Sequence, residues 1–328
     1  MHCRYSKVVE QSSYEADGLA YDIPLRIHRD PYKEIFGALR AQKDWSEQVH
    51  PISDYLGGLG TPYSFIRVTV PECRPERLET VSYANEFAFL YDGEQFSLMS
   101  PKSLKDLSTE QPNQPELLSV FNSDIFSQKV DEMTRPEKRL QTQILKEMMG
   151  IDPKRAVTTM KAWATFVQLA SRTRSTPFET LGEYLPSRII DAGELIWYGT
   201  LTFAMALTIL EAELDLCFSL ARPGYAAISL TNDLYSWDKE RKAAEADGVD
   251  YVFNAIWVIM KEQSVSEDEA IAICKEETLK YIAEYDDIVG NVKDFNLSQD
   301  TVSYLEAVRY SYIGNLVWSI YCPRYHED

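Results

Sequence analysis

Three oxygen-bearing side chains recur at intervals of four residues within residues 230–240. They are Asn232, Ser236 and Glu240. Because an α-helix has about 3.6 residues per turn, this spacing places all three along one face. An amide oxygen, a hydroxyl and a carboxylate suit Mg²⁺, which proteins commonly share with water and substrate phosphate. Such a triad is more often a solvated polar face, but its apolar neighbours favour a metal site, since unsatisfied polar groups are costly there.

The same segment resembles the second metal motif of the class I terpene cyclases. The match covers every position of that motif: Asn232, Asp233, Ser236, Lys239 and Glu240. The resemblance implies three Mg²⁺ ions that hold a prenyl diphosphate and withdraw the diphosphate to leave an allylic cation. It implies that Asn232, Ser236 and Glu240 bind metal, with Lys239 as a further contact to the diphosphate.

The aspartate-rich motif of this family has a partial match at residues 87–96. Its first aspartate is present as Asp92, but its second position holds Gly93 and its last holds Phe96. The first aspartate bridges metals in the family, so the resemblance implies that Asp92 is a metal ligand. The sequence leaves open whether Glu94 adds a carboxylate or is a solvated loop residue. The departure at Gly93 also leaves open a diphosphate-binding relative with impaired catalysis.

Two further segments resemble elements that bind diphosphate in the family. Arg188 corresponds to the diphosphate sensor, Asp191 to the linker that orients it, and Ala192 to the effector, whose backbone carbonyl points at the departing group. Near the C-terminus, Arg324 and Tyr325 correspond to the pair that binds diphosphate when the site closes. A guanidinium suits a diphosphate because it donates two parallel hydrogen bonds.

Aromatic residues are spread over the predicted helices, and most of them are expected to be ordinary core. A carbocation reaction, however, needs a water-free cavity whose aromatic faces stabilise positive charge. We predict that four residues form walls of such a cavity: Phe65, Phe89, Trp197 and Trp318.

The elements that must position these residues are predicted to be helices. Apolar spacing indicates helices over residues 30–49, 75–92, 115–127, 131–149, 153–173, 187–220, 224–243, 249–263, 265–286 and 298–321. Residues 63–70 have strand-like composition, but the resemblance favours a helix there. Residues 1–30 are predicted to be irregular, and residues 94–114 to be a polar loop. This pattern predicts an all-α bundle, and the resemblance implies the class I terpenoid synthase fold around a central apolar cavity.

Length and composition narrow the class of protein further. With 328 residues and 45% hydrophobic content the chain can bury a large core, and we expect one domain over residues 1–328 with no downstream prenyltransferase domain. A net charge of −18 argues against nucleic acid as a partner, because a phosphate backbone requires Lys and Arg. No apolar run is long enough to predict a membrane span.

The cysteines and histidines indicate the cellular compartment and exclude one class of enzyme. The five cysteines are scattered, which predicts reduced thiols and a cytoplasmic location. The four histidines have neither metal nor triad spacing, which argues against a Ser-His hydrolase. A Gly-rich phosphate loop is also missing from the sequence.

Four longer segments resemble the cyclase half of fungal bifunctional diterpene synthases: residues 71–77, 87–92, 191–199 and 314–325. This resemblance implies a C20 substrate, geranylgeranyl diphosphate, closed into a fused 5-8-5 hydrocarbon. A C25 substrate, geranylfarnesyl diphosphate, is the alternative. The expected protein partner is a second copy in a homodimer, or a prenyltransferase domain or enzyme that supplies the substrate. A chain-elongating prenyltransferase fits less well, because it needs a second aspartate-rich motif where this chain has residues 232–240.

Overall fold

The computed structural model describes residues 3–52, 57–98, 135–170 and 177–326, with the backbone alone described for residues 92–98. Within these ranges the chain folds into eleven α-helices: α1 Pro31–Gln48, α2 Phe65–Thr69, α3 Leu78–Leu98, α4 Pro136–Ile151, α5 Pro153–Ala170, α6 Leu181–Asp191, α7 Glu194–Met205, α8 Leu214–Asp247, α9 Ala255–Gln263, α10 Glu267–Gly290 and α11 Gln299–Tyr321. The all-α class is thereby confirmed.

The N-terminal segment is more regular than predicted. It contains strands β1, Ser6–Val8, and β2, Arg26–His28, which pair antiparallel with Ser6 opposite His28. The carboxylate of Glu72 accepts hydrogen bonds from the backbone N–H groups of Arg4, Tyr5 and Ser6. Because these contacts are far apart in sequence, local periodicity did not reveal them.

The predicted helix over residues 187–220 is wrong, since the structure has parts of three helices there. Helix α6 ends at Asp191, and Gly193 has a φ of +93° before α7 begins. A residue in the left-handed region cannot continue a right-handed helix, which explains the break. The third helix, α8, begins at Leu214 and continues through Pro223, so the predicted start of a new helix at residue 224 is also wrong.

Helix α3 begins at Leu78, after the predicted start at Pro75, and continues past its predicted end at Asp92 to Leu98. The predictions for residues 99–114 and 115–127, and the outer ends of the ranges 131–149 and 153–173, fall outside the described residues.

Helix α8 is central to the packing and contacts α6, α9, α10 and α11, while α1 lies against α3. Helix α2 lies close to α11, where a Cβ built on Gly314 would lie 2.3 Å from the carbonyl oxygen of Val68. Only glycine permits this approach, which brings α2 and the end of α11 together. Among the described helices, none combines the length and apolar composition needed to span a bilayer.

Candidate active site

The guanidinium of Arg188 connects the two helices that carry the predicted polar residues. Arg188, on α6, is 6% exposed. Its Nε donates to Asp233 Oδ1 at 2.7 Å, one terminal nitrogen donates to Asp191 Oδ2 at 2.8 Å, and the other donates to Asn232 Oδ1 at 2.5 Å. The structure therefore brings the predicted sensor, linker and first residue of the metal triad into contact. We call Arg188, Asp191, Asn232, Asp233, Ser236 and Glu240 the polar centre.

Asp233 is a residue to which the sequence analysis gave no role, although it lies in the motif. It is fully buried and accepts hydrogen bonds from the Tyr184 hydroxyl at 2.6 Å and from the Ala255 N–H at 2.9 Å. Burial raises the pKa of Asp233 and is opposed by the charge of Arg188. A buried carboxylate requires a cation or several hydrogen-bond donors. The position of Asp233 in an apolar segment was therefore the sequence signal that could have identified it as a functional residue.

Ser236 and Glu240 lie further along the same face of α8. Ser236 Oγ is buried and has no hydrogen-bond partner within the described part of the chain. An interaction of its hydroxyl with the Glu240 carboxyl group nevertheless lowers the pKa of that group. Glu240 Oε2 accepts from Asn254 Nδ2 at 3.0 Å, and burial raises the pKa of Glu240 to about 7. A divalent cation would satisfy both the hydroxyl and the carboxylate.

The amide of Asn232 is compatible with the same ion. Its oxygen accepts one bond from Arg188, and an amide oxygen has a second lone pair. These three side chains therefore fit a Mg²⁺ site on the observation that the buried Ser236 hydroxyl has no hydrogen-bond partner among the described residues. Asp92, the metal ligand expected from a second helix, is on α3, but its side chain lies outside the described residues, as does that of Glu94.

The segment after α11 lies between the polar centre and the aromatic residues. Asn232 Nδ2 donates to the Tyr325 hydroxyl at 2.6 Å, and the Tyr325 ring lies edge-on to Trp318 with centroids 5.7 Å apart. The neighbouring Arg324 places its guanidinium carbon 5.1 Å from the centroid of Phe89. Tyr325 thus contacts both regions at once, and its neighbour Arg324 contacts the aromatic side.

The four predicted wall residues form one cluster with Phe65 at its centre. The Phe65 centroid lies 4.8 Å from that of Trp318, 5.2 Å from Phe89 and 5.6 Å from Trp197, each in an edge-to-face arrangement. Phe65, Phe89, Trp197 and Trp318, which we call the aromatic cluster, come from α2, α3, α7 and α11. All except Trp318 keep part of their surface exposed. The cavity beside these rings, and their function as its walls, stay predictions.

The remaining predicted residues lie near this region. Ala192 follows the last residue of α6, and its N–H donates to the Arg188 carbonyl at 2.7 Å, immediately before the break at Gly193. Lys239 is partly exposed on α8, one residue before Glu240. The effector function of Ala192 and the diphosphate contact of Lys239 stay predictions.

Residues 126–284 match the family described as "Terpene synthase family 2, C-terminal metal binding". This range contains α6 and α8 and therefore the whole polar centre. The family description is consistent with the use of a metal ion by these residues.

Similarity to proteins of known function covers the entire chain. The chain is 43% identical to fusicoccadiene synthase of Phomopsis amygdali over 336 residues, covering 100% of this chain and 46% of that protein. It is 44% identical to the bifunctional type I diterpene synthase tndC of Aspergillus flavipes, covering 99% of this chain and 42% of that protein. A bifunctional sesterterpene synthase of Aspergillus aculeatus is 41% identical, with coverage of 100% and 45%. The chain spans less than half the length of these curated relatives.

Solved structures share the fold at much lower identity. Aristolochene synthase from Penicillium roqueforti superposes with a TM-score of 0.68 at 18% identity, covering 89% of this chain and 96% of that one. Wild-type cucumene synthase gives 0.66 at 14% identity, covering 91% and 98%. These structures show the common fold, and the 41–44% identity of the whole chain to fungal diterpene and sesterterpene synthases identifies the protein as a member of the terpene synthases.

Proposed function

We propose that this chain is a class I diterpene cyclase that ionises geranylgeranyl diphosphate with Mg²⁺, cyclises it to a fused 5-8-5 hydrocarbon and releases diphosphate. The main support is that Tyr325 joins the polar centre to the aromatic cluster, through Asn232 on one side and Trp318 on the other. A polar region directly beside aromatic rings suits a substrate with an anionic head and a long apolar chain. The names of the relatives, which include diterpene synthases, support the C20 chain length.

The residues that would hold the metal are Asp92, Asn232, Ser236 and Glu240, with three Mg²⁺ ions expected when diphosphate is bound. Bound Mg²⁺ would neutralise charge on the diphosphate and so favour its departure.

Arg188 is suited to bind the diphosphate from the side of α6. Three of its five N–H donors are used by Asp233, Asp191 and Asn232, so two remain for phosphate oxygens. The buried carboxylates of Asp191 and Asp233 fix the plane of the guanidinium before substrate arrives. A preorganised donor of this kind does not have to reorganise during the reaction.

The other expected diphosphate ligands lie around the same centre. The Tyr325 hydroxyl accepts a bond from Asn232 and keeps its own proton to donate to a phosphate oxygen. Arg324 and Lys239 would add positive charge. After ionisation, the aromatic cluster excludes water and stabilises the moving positive charge with its ring faces. Released diphosphate is the expected acceptor of the proton that ends the reaction.

A C25 substrate is the second candidate. One relative with 41% identity over the whole chain is named a sesterterpene synthase, so geranylfarnesyl diphosphate must be tested alongside the C20 substrate.

The test is to incubate the purified protein with Mg²⁺ and each prenyl diphosphate from C10 to C25, and to measure hydrocarbons by gas chromatography–mass spectrometry together with diphosphate release. Arg188→Lys should abolish most turnover, because a lysine ammonium cannot reproduce the planar set of N–H donors of the guanidinium. Arg241→Lys is the matched control on α8, since Arg241 is about a third exposed and pairs with Glu245.

Absence of a hydrocarbon from every substrate would remove the proposal. The variant Gly93→Asp tests the impaired alternative: hydrocarbon formation by this variant alone would show that the natural chain is catalytically silent.

A further inference from the structure

Gly58, in the loop before α2, supports two rings of the aromatic cluster. Its carbonyl oxygen accepts the backbone N–H of Phe65 at 2.8 Å and the indole N–H of Trp318 at 3.1 Å. A carbonyl oxygen has two lone pairs, so both are used. The position of this one peptide therefore affects both Phe65 and Trp318.

The third ring of the cluster lies against the same glycine. A Cβ built on Gly58 would lie 3.1 Å from Cε2 of Phe89, 3.3 Å from Cβ of Phe65 and 3.3 Å from Nδ2 of Asn85. Gly58 does not have a positive φ, so its backbone conformation is open to other residues. There is too little space for a side chain at this position. A single methyl group would push the rings by a few tenths of an ångström.

Glu86 holds this glycine from the other side. Its side chain is buried, with Oε2 accepting the Gly58 N–H at 2.9 Å and Oε1 accepting Gln42 Nε2 at 2.9 Å. Glu86 lies three residues before Phe89 on α3, and Gln42 lies on α1. Hydrogen bonds therefore connect α1 and α3 through Gly58 to the rings.

We propose that Gly58 is a specificity-determining residue and that Glu86 is a positioning residue for the cyclisation. Together they set the separation and tilt of Phe65, Phe89 and Trp318, and so select which carbon–carbon bond forms after ionisation. Neither residue is proposed to contact the diphosphate. The inference rests on the proposed function, because it concerns the course of the same reaction.

The energetic reason is the steep dependence of product ratio on barrier height. Competing cyclisations of one cation share the ionisation step and differ only in later barriers. A tenfold change in product ratio requires only about 1.4 kcal/mol between two transition states. Moving an aromatic face relative to a cation can supply a difference of this size.

The first test compares Gly58→Ala with Gly150→Ala. A Cβ on Gly150, in α4, meets no atom within 4 Å, so this variant controls for the backbone effect of replacing glycine. We expect Gly58→Ala to retain diphosphate release and to change the ratio of major to minor hydrocarbons by about tenfold. An unchanged ratio in Gly58→Ala, with release retained, would overturn the specificity function.

The second test leaves the space around Gly58 unchanged. Glu86→Gln replaces one of the two carboxylate oxygens, which accept from Gly58 and Gln42, with an amide nitrogen, and it should also shift the product ratio. The double variant Gln42→Glu/Glu86→Gln reverses the bond between α1 and α3 and restores an acceptor for the Gly58 N–H, so it should return the ratio towards that of the natural chain. If the double variant behaves like Glu86→Gln, the positioning function is wrong.

A readout without substrate separates this inference from the proposed function. In isotope-labelled protein, the indole N–H resonance of Trp318, assigned with Trp318→Phe, should shift in Gly58→Ala and Glu86→Gln but not in Gly150→Ala. A resonance that does not move in either variant would overturn the inference even if the enzyme is active. If the resonance shifts but the natural chain forms no hydrocarbon, the proposed function fails while the positioning of Trp318 stands.

Discussion

In the polar centre, Arg188 is held by three hydrogen bonds of 2.5, 2.7 and 2.8 Å, whereas in the aromatic cluster Phe65 is held by ring contacts with centroids 4.8, 5.2 and 5.6 Å apart. Charge-assisted hydrogen bonds are directional, and removing one partner leaves the other buried charge unpaired. Ring contacts change gradually with distance and angle. We therefore expect substitutions in the polar centre to cause a large loss of stability or turnover. Substitutions in the aromatic cluster should change these properties gradually.

The polar centre contains the buried carboxylate of Asp233, and the helix that carries Phe65 is contacted by the buried carboxylate of Glu34; the two are stabilised differently. Asp233 is paired with Arg188. Glu34, on α1, accepts the backbone N–H of Arg67 at 3.0 Å through Oε1, but its Oε2 has no hydrogen-bond partner among the described residues. Burial raises the pKa of Glu34 to about 8. Since Arg67 is on α2 with Phe65, Glu34 helps to hold the helix that carries the central ring.

The largest effect is expected for Asp233→Asn. This change leaves the Arg188 charge buried without its main partner and directs an amide N–H towards the donors Tyr184 and Ala255. We expect the free energy of unfolding to fall by about 3–5 kcal/mol. Urea denaturation followed by circular dichroism measures it.

Asp238→Asn is the control for that prediction. Asp238 is exposed on the same helix, 3.4 Å from Arg241, and such surface pairs contribute about 0–1 kcal/mol. Equal losses in the two variants would contradict the importance of the buried pair.

The next effect concerns pH and Glu34. Its folded-state pKa of about 8 exceeds the ordinary value of 4.5, so between these values the folded protein binds more protons than the unfolded chain. Stability from Glu34 is therefore fully present below pH 4.5 and is lost as pH rises through 8. Glu34→Gln should remove this dependence, reducing the loss of stability between pH 6 and 8 by about 2 kcal/mol.

Denaturation curves at several pH values check this prediction. Glu47→Gln, at an exposed position of the same helix, should keep the pH dependence of the natural chain. A parallel pH profile for Glu34→Gln would show that Glu34 is ionised in the fold.

A smaller effect is expected at Asn254, which donates to Glu240 Oε2 and to the Asp233 carbonyl and accepts from the Ile256 N–H. Asn254→Ser keeps a hydroxyl that can cap α9 but loses both donated bonds. Residues that orient a metal ligand typically contribute about 10–100-fold to metal affinity, and we expect Mg²⁺ half-saturation to rise by that factor.

Two measurements check the Asn254 prediction: turnover against Mg²⁺ concentration, and the rise in melting temperature that Mg²⁺ with inorganic diphosphate produces. Ser266→Ala, at the start of α10, controls for a lost helix cap. An unchanged Mg²⁺ requirement in Asn254→Ser would separate Asn254 from the metal site.

The smallest effect is expected for Trp197→Phe. The variant keeps a ring beside Phe65 but loses the indole N–H that donates to Ser311 Oγ at 2.8 Å. We expect a decrease of about 1 kcal/mol in the free energy of unfolding, with turnover retained. Trp257→Phe, which loses a bond to the Asp250 carbonyl at an exposed site, should cost less. Loss of all turnover in Trp197→Phe would contradict the graded behaviour of the aromatic cluster.

Much of the polar centre could be read from the sequence because its residues belong to short motifs. Asn232, Ser236 and Glu240 share a face through helical periodicity alone, and the resemblance to terpene cyclases, now confirmed, supplied Arg188 and Asp191. The all-α class was also predictable, since apolar spacing depends on neighbours within a few residues. The break at Gly193 was not part of the predicted helix over residues 187–220, because glycine permits a left-handed residue without requiring one.

The sequence by itself determined which side chains share the face of α8, because helical geometry depends only on spacing along the chain. Tertiary structure alone decided that Asp233, on α8, is the common acceptor for Tyr184 and Arg188 of α6 and for Ala255 of α9, since this contact needs three helices to pack together. It also decided that Phe65, Phe89, Trp197 and Trp318 meet, and that Gly58 and Glu86 lie behind them. Those contacts join residues up to 260 positions apart, and they depend on how α2, α3, α7 and α11 pack rather than on any local pattern.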